Sequence, residues 1–224
     1  MKALILAAGR GERMLPLTKD TPKPLLHVAG KPLLDHIFSA LPSEIDEAVI
    51  VVRYLSEKIQ AYCKDNFHGR RIRYAEGSDR GTAYSFLAAE PFIGDERFLL
   101  VYGDEFPDSV SIVACLAHEQ SILCFRAEDP WNHGVVTLRA DGMIASIQEK
   151  PPQPKTDLIS NGVMVLLGSI FGLRPKHRLG GEVYLTDMLD QQVRRLRVAA
   201  VISERAIGGI STPADIVRIE RLLS

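Results

Sequence analysis

The feature that most limits how this chain can fold is an apolar run that breaks at two glycines and leads to a lysine fixed between prolines. In Leu6 to Leu26, LAAGRGERMLPLTKDTPKPLL, the run Ala3-Leu4-Ile5-Leu6 passes into Gly9 and Gly11. A short, continuous apolar run is what a parallel strand buried on both faces requires, and glycine at its end lets backbone N–H groups approach a ligand with no Cβ between. Anionic oxygens are the natural partners of such donors. Arg13 adds a planar fork that suits phosphate. Lys23 lies between Pro22 and Pro24, and the proline after it disfavours helix, so a charged side chain is expected on a stiff, extended segment. The stretch reads as a site for nucleotide phosphates. The dinucleotide fingerprint needs a third glycine where Met14 stands, and the phosphate loop of ATPases needs a Gly-Lys-Ser/Thr that is absent.

The rest of the chain continues the pattern. Helices are expected over Pro32 to Leu41 and Leu55 to Phe67, and strands over Ala48 to Val52, Arg71 to Ala75 and Phe98 to Tyr102. Gly81, Thr82 and Ala83 open a further helix with small residues at its positive end. Alternation of this kind implies an α/β fold with a mostly parallel sheet, its ligands beyond the carboxyl ends of the strands, where Gly9, Gly81 and Asp104 fall. The second half reads differently. Val135 to Arg139, Met143 to Gln148 and Gly162 to Leu167 form shorter strands of a smaller, more antiparallel portion. Thr186 to Arg195 is expected as a helix, Val198 to Ile202 as a strand, and Pro213 to Leu223 as a last helix capped by Thr212. With 224 residues, 46% of them hydrophobic, the chain can bury a large core as one domain over residues 1–224.

Composition excludes other classes. The 27 basic and 28 acidic residues nearly cancel, which argues against a nucleic-acid binder and makes any phosphate site local. Cys63, Cys115 and Cys124 are odd in number, lack CxxC spacing and sit in apolar surroundings, so buried free thiols in a reducing compartment are expected. MKALILAAG is too short an apolar run for a signal peptide, and no stretch approaches the ~18 to 20 apolar residues of a membrane span, so the expectation is cytoplasmic, with no membrane partner.

Val101-Tyr102-Gly103-Asp104-Glu105 places a carboxylate just past a buried strand. Magnesium (Mg2+) suits that arrangement because it keeps several waters and takes one or two protein carboxylates plus substrate phosphates. GRGERMLPLT followed by PKPLL resembles the signature of the sugar-1-phosphate nucleotidylyltransferases. The resemblance implies a Rossmann-like sheet flanked by helices, with a smaller antiparallel sugar-binding portion. It implies a nucleoside triphosphate and a sugar 1-phosphate as substrates, joined into a nucleotide-sugar with release of pyrophosphate. Leu6, Ala7, Ala8, Gly9 and Gly11 then cover the nucleotide, Arg13 binds the outgoing pyrophosphate, Lys23 contacts the reacting phosphates and Asp104 holds the metal. Glu76, Gly81 and Thr82 fall where the family meets the nucleotide.

Gln148-Glu149-Lys150-Pro151 resembles the family's EKP motif, in which the glutamate accepts sugar hydroxyls and the lysine binds the sugar phosphate. A regular strand sends such neighbours to opposite faces. His133-Gly134-Val135-Val136 resembles a tyrosine-glycine-valine-valine segment near the sugar, which assigns Gly134 but gives His133 no proton-transfer role. Asn161 and Gly162 fit the segment beside the sugar, and Gly181 to Asp187, GEVYLTD, resembles the GELEITD of the family's thymidylyltransferase branch. The arginine that precedes that segment in the branch is Gly180 here, and its role does not pass to Arg178.

The largest departure is Gly209-Ile210-Ser211-Thr212-Pro213, where the family reads Asp-x-Gly-Thr-Pro and the aspartate is a second metal ligand. Either Glu105, Asp108 or Glu204 stands in for it, or Asp104 and the phosphates hold magnesium with more water. The substitution also keeps a second class open, a nucleotide-sugar-binding regulator that has the pocket without turnover. A third, a nicotinamide-dependent oxidoreductase, is disfavoured by Met14 and the proline-flanked lysine. The base, the sugar and any homo-oligomer are not encoded in these motifs.

Overall fold

The computed structural model describes residues 1–176, 180–204 and 208–223; Arg178 lies outside them. Strand β1 (Lys2–Ala7) is followed by a short hairpin, β2 (His27–Val28) and β3 (Lys31–Pro32), then α1 (Leu33–Ala40), β4 (Glu47–Val52) and α2 (Ser56–Cys63). Next come β5 (Asn66–Phe67), β6 (Arg70–Glu76), α3 (Thr82–Leu87), α4 (Glu90–Ile93) and β7 (Arg97–Tyr102). The second half contains α5 (Ser109–Leu116), β8 (Ser121–Arg126), β9 (Gly134–Leu138), β10 (Ile144–Glu149), β11 (Leu158–Leu167), α6 (Leu185–Arg195), β12 (Ala199–Ile202) and α7 (Pro213–Leu223).

The apolar run that opens the chain becomes the axis of a mixed sheet, ten-stranded among the described residues. β1 pairs in parallel with β4 on one side and β7 on the other, and β6 extends the parallel set beyond β4. Ala3, Ile5 and Ala7 pack into one core layer and Leu4 into the other, so both faces of β1 are covered, as a continuous apolar run demands. Helices α1, α2, α5 and α7 contribute to the first layer, and α3, α4 and α6 to the second. Among the described residues no helix is long and apolar enough to cross a membrane.

The antiparallel portion is joined to this sheet by β11. Its second half pairs with β7, its first half meets β9 through Ile159, and β8 runs along its other edge. The expected strand over Gly162 to Leu167 therefore begins earlier, at Leu158. Two further expectations change. The helix read over Leu55 to Phe67 stops at Cys63, because Lys64, His68 and Gly69 all take positive φ and turn the chain into a β5–β6 hairpin. Ser109–Leu116 and Ser121–Arg126 form a helix and a strand that the sequence reading passed over, the latter a run too short for periodicity to classify. Cys63, Cys115 and Cys124 are buried and free.

Phe86, Phe98 and Phe171 stack in the second layer, with ring centroids 4.6 Å apart for Phe86–Phe171 and 5.6 Å for Phe98–Phe171. All three rings are buried. Phe171→Ala is expected to cost about 3–5 kcal/mol, seen as a lower denaturant midpoint with an unchanged slope; a midpoint that does not move would show that the layer closes over the missing ring.

Candidate functional site

Beyond β1 the chain makes a short turn at Glu12–Met14 and a second at Lys23–Leu25. Met14, which stands where a dinucleotide loop would need glycine, is buried in the first core layer and pins the loop from below. Arg13 is left exposed. Gly9 has open space where a Cβ would stand, and Gly11 accepts a hydrogen bond from the Thr18 hydroxyl at 2.8 Å. Lys23 is not on an extended segment as expected: Pro22 is extended, and Lys23 begins the second turn. Pro24 is tolerated there because the first N–H groups of a helical turn have no intrahelical acceptor.

Lys23 is buried, yet its Nζ donates to Asp104 Oδ2 at 2.7 Å. This joins the loop after β1 to the end of β7, two strands that are neighbours in the sheet. Arg13 makes no bond to either residue; its Nη2 donates to Ser211 Oγ at 3.2 Å. That serine sits on a fixed segment. Ile210 N donates to Asp104 O at 2.8 Å, and Asp215 Oδ2 accepts from Ser211 N, Thr212 N and Thr212 Oγ1. Lys23 and Asp104 thus meet directly, whereas Arg13 is tied to the segment that leads into α7, whose Ile210 bonds the Asp104 carbonyl.

Further along the strand ends, Gly103 N donates to Leu6 O, and Ala8 packs against Gly77. Glu76 ends β6 with its side chain exposed. Gly81 has φ +118 and its Cβ would lie 2.4 Å from Val183 O, so no other residue fits without moving backbone. Ala83 N donates to Val183 O, and Thr82 Oγ1 accepts from Leu185 N at 2.9 Å. Residues 81–83 and the GEVYLTD segment are therefore stitched together, and the Thr82 hydroxyl is engaged there.

The antiparallel portion brings Gly134 opposite Glu149 in the β9–β10 ladder. Glu149 Oε2 accepts from Thr186 Oγ1 at 2.5 Å. Lys150 does not follow the strand alternation expected of it. It takes φ +41, a left-handed conformation costly for a side chain with a Cβ, and its Nζ comes within 3.8 Å of Glu149 Oε1, 3.2 Å of Tyr184 Oη and 4.6 Å of the Tyr184 ring centroid. Glu149 and Lys150 therefore face the same space. His133 accepts from Lys150 N through its carbonyl at 2.9 Å, while its ring pairs with Asp129 at 3.3 Å.

Asn161 and Gly162 meet a residue that the sequence offered only as one of three acids. Glu105 Oε2 accepts from Asn161 Nδ2 at 2.8 Å, and Oε1 accepts from Gly162 N at 3.0 Å. A Cβ on Gly162 would fall 2.6 Å from Tyr102 Cβ and 2.8 Å from Glu105 Cγ. Burial, and then the neighbouring Asp104 charge, push the Glu105 carboxyl up to about 7. Glu105 also forms a backbone bridge with Gly209, so it is the acid that borders the glycine. Asp108 instead caps α5 through Ser111 N, and Glu204 is exposed. Tyr102 was missed as well: burial, and then the charges of Glu149, Asp104 and Glu105, hold its phenol well above the usual range, which places it among the site's carboxylates.

A resident metal has no all-protein cage, since no group of three or more His, Cys, Asp or Glu is clustered for one among the described residues. Asp104 is partly exposed and shares only Oδ2 with Lys23, which fits an ion that takes one carboxylate and completes its shell with water and phosphate.

Compared with known proteins, residues 2–206 match the family described as Nucleotidyl transferase. The chain is 34% identical over 227 residues to a protein named bifunctional protein GlmU from Methanocaldococcus jannaschii, covering 100% of this chain and 54% of that one. It is 32% identical over 215 residues to the UTP–glucose-1-phosphate uridylyltransferase AglF of Haloferax volcanii, covering 90% and 87%. A glucose-1-phosphate thymidylyltransferase from Streptomyces griseus is 30% identical over 199 residues, covering 84% and 56%. The chain spans about half the length of the GlmU relatives it matches. In structure it superposes with a TM-score of 0.86 on a Bacillus anthracis protein described as a glucose-1-phosphate thymidylyltransferase, at 24% identity and covering 99% of this chain and 94% of that one; this supports the fold.

Proposed function

Because the chain belongs to the nucleotidyl transferase family, we propose that it joins a nucleoside triphosphate to a sugar 1-phosphate, giving a nucleotide-sugar and pyrophosphate. The observation that carries this reading is the 2.7 Å contact between Lys23 and Asp104, which brings a cation and a carboxylate together beside the glycine loop. A sugar-phosphate oxygen attacks the α-phosphorus and the bond to pyrophosphate breaks. No general base is needed, because a phosphate monoester with a second pKa near ~6 is already largely dianionic at neutral pH. Catalysis is then alignment and charge neutralisation.

In this reading Arg13 holds the leaving pyrophosphate and Lys23 the α-phosphate. Leu6, Ala7, Ala8, Gly9, Gly11, Glu76, Gly81 and Thr82 line the nucleotide. Gly134, Glu149, Lys150 and Gly162 receive the sugar phosphate, with Asn161 behind them. Asp104 is the protein ligand for magnesium, which when bound supplies positive charge to the phosphates. The reaction is cytoplasmic, and neither nucleic acid nor membrane takes part.

The test is a matrix of nucleoside triphosphates against sugar 1-phosphates, read as pyrophosphate release with and without magnesium. At least one pair is expected to release pyrophosphate only with the metal. Binding of a nucleotide-sugar with no release from any pair would instead favour the regulator reading that Gly209 motivates, and restoring a carboxylate with Gly209→Asp would then be the informative variant.

A further inference from the structure

We propose that Glu105 is a positioning residue, whose carboxylate fixes the point at which β11 passes from the antiparallel strands to the parallel half and so holds the two halves of the site in register. The inference rests on the transfer reading above, in which the sugar phosphate and the triphosphate meet between those halves.

β11 changes partners in its middle. On one edge Ile159 pairs with β9 and Val163 to Leu167 with β7, while on the other β8 pairs with Leu158 to Ser160 and again with Met164 and Val165. The register with β8 shifts between Ser160 and Met164, so Asn161 and Gly162 fall where neither ladder takes them up. Both residues are buried, and a buried N–H without an acceptor is costly. Glu105 supplies what the ladder omits. One carboxylate oxygen takes the Gly162 N–H and the other the Asn161 amide, while Asn161 Oδ1 is itself held by Val163 N at 3.1 Å.

Few side chains could serve in this position. A carboxylate is desolvated at a cost, yet it offers two acceptor oxygens to two donors at once. A glutamine in its place has one acceptor oxygen and would set its amide hydrogens against one of the two donors. The contact is also tight. Gly162 lies flat beneath Tyr102 and Glu105, so a displacement at 105 is passed to β11 with no slack. On its other side Glu105 follows Asp104 directly and bridges Gly209, whose neighbour Ile210 bonds the Asp104 carbonyl. One buried side chain therefore links the carboxylate proposed for the metal with the strand proposed for the sugar.

The test uses the full chain. In Glu105→Gln, hydrogen exchange at the Gly162 and Val163 amides is expected to rise at least tenfold, and kcat to fall about 10- to 100-fold, with KM for the triphosphate changed less than twofold. Combining it with Asn161→Asp exchanges donor and acceptor across the contact. The carboxylate at 161 then accepts from the new amide at 105 and from Val163 N–H, and the remaining oxygen at 105 accepts from Gly162. The double variant should regain Gly162 protection and most of kcat. Unchanged Gly162 exchange in the single variant would overturn the proposal. So would lost turnover with Gly162 still protected and no rescue, because the carboxylate would then act on the reacting groups itself. If the wild-type chain releases no pyrophosphate from any substrate pair, the transfer reading fails, while amide exchange still decides whether Glu105 locks the strand.

Discussion

Replacing Lys23 with alanine should lower pyrophosphate release by about 10³-fold while leaving the chain folded. The size follows from the role proposed for it: a preorganised cation at the phosphates acts where charge develops, and loss of one such group costs about 10²- to 10⁵-fold in comparable sites. Lys23 is suited to this because its stem is held along most of its length. Gly11 lies over it, with the Lys23 Cβ 3.3 Å and Cδ 3.5 Å from where a Gly11 Cβ would be, and the ammonium emerges only at Asp104. Little rotamer freedom is left to lose when phosphate binds. Alanine removes the packed stem as well as the charge, so Lys23→Met is the necessary companion: it keeps the stem and should be as inactive as alanine, with a denaturation midpoint nearer wild type. Near-normal release by either variant would show that the reacting phosphates do not meet this lysine.

The second large effect is expected at Asp104. Asp104→Ala should also reduce turnover by about 10³-fold, and raising magnesium should not restore it. The carboxylate has one oxygen on Lys23 and is partly open, whereas Glu105 beside it has both oxygens committed to β11. The neighbour therefore cannot take over its place without releasing Asn161 and Gly162. Removing Asp104 leaves the buried Lys23 ammonium without its acceptor, a cost of up to about 3–5 kcal/mol, which lowers the margin of a domain stable by about 5–15 kcal/mol without unfolding it. Circular dichroism should be unchanged with a lowered midpoint. Turnover within tenfold of wild type would place the metal, or the need for one, elsewhere.

Much of this arrangement was legible in the chain. Apolar runs at Ala3–Leu6, Ala48–Val52 and Phe98–Tyr102 became the parallel strands β1, β4 and β7, because a run buried on both faces leaves its mark within a few consecutive residues. The loop glycines, Arg13 and Lys23 were legible for the same local reason. Less visible was Lys150, whose φ of +41 depends on its backbone N–H reaching His133 O, a contact that strand alternation does not foresee.

By itself, then, the sequence determined most of the parallel strands and the helices between them, the residue types offered for phosphate, and that Gly209 lacks a carboxylate. Only the tertiary structure decided how those segments meet. Glu105 and Gly162 are 57 positions apart, Lys23 and Asp104 are 81 apart, and Arg13 and Ser211 are 198 apart. Periodicity and turn chemistry report on neighbours a few residues away, whereas the first two contacts exist because β7 lies between β1 and β11, and the third because the segment before α7 is bridged to Asp104 and Glu105.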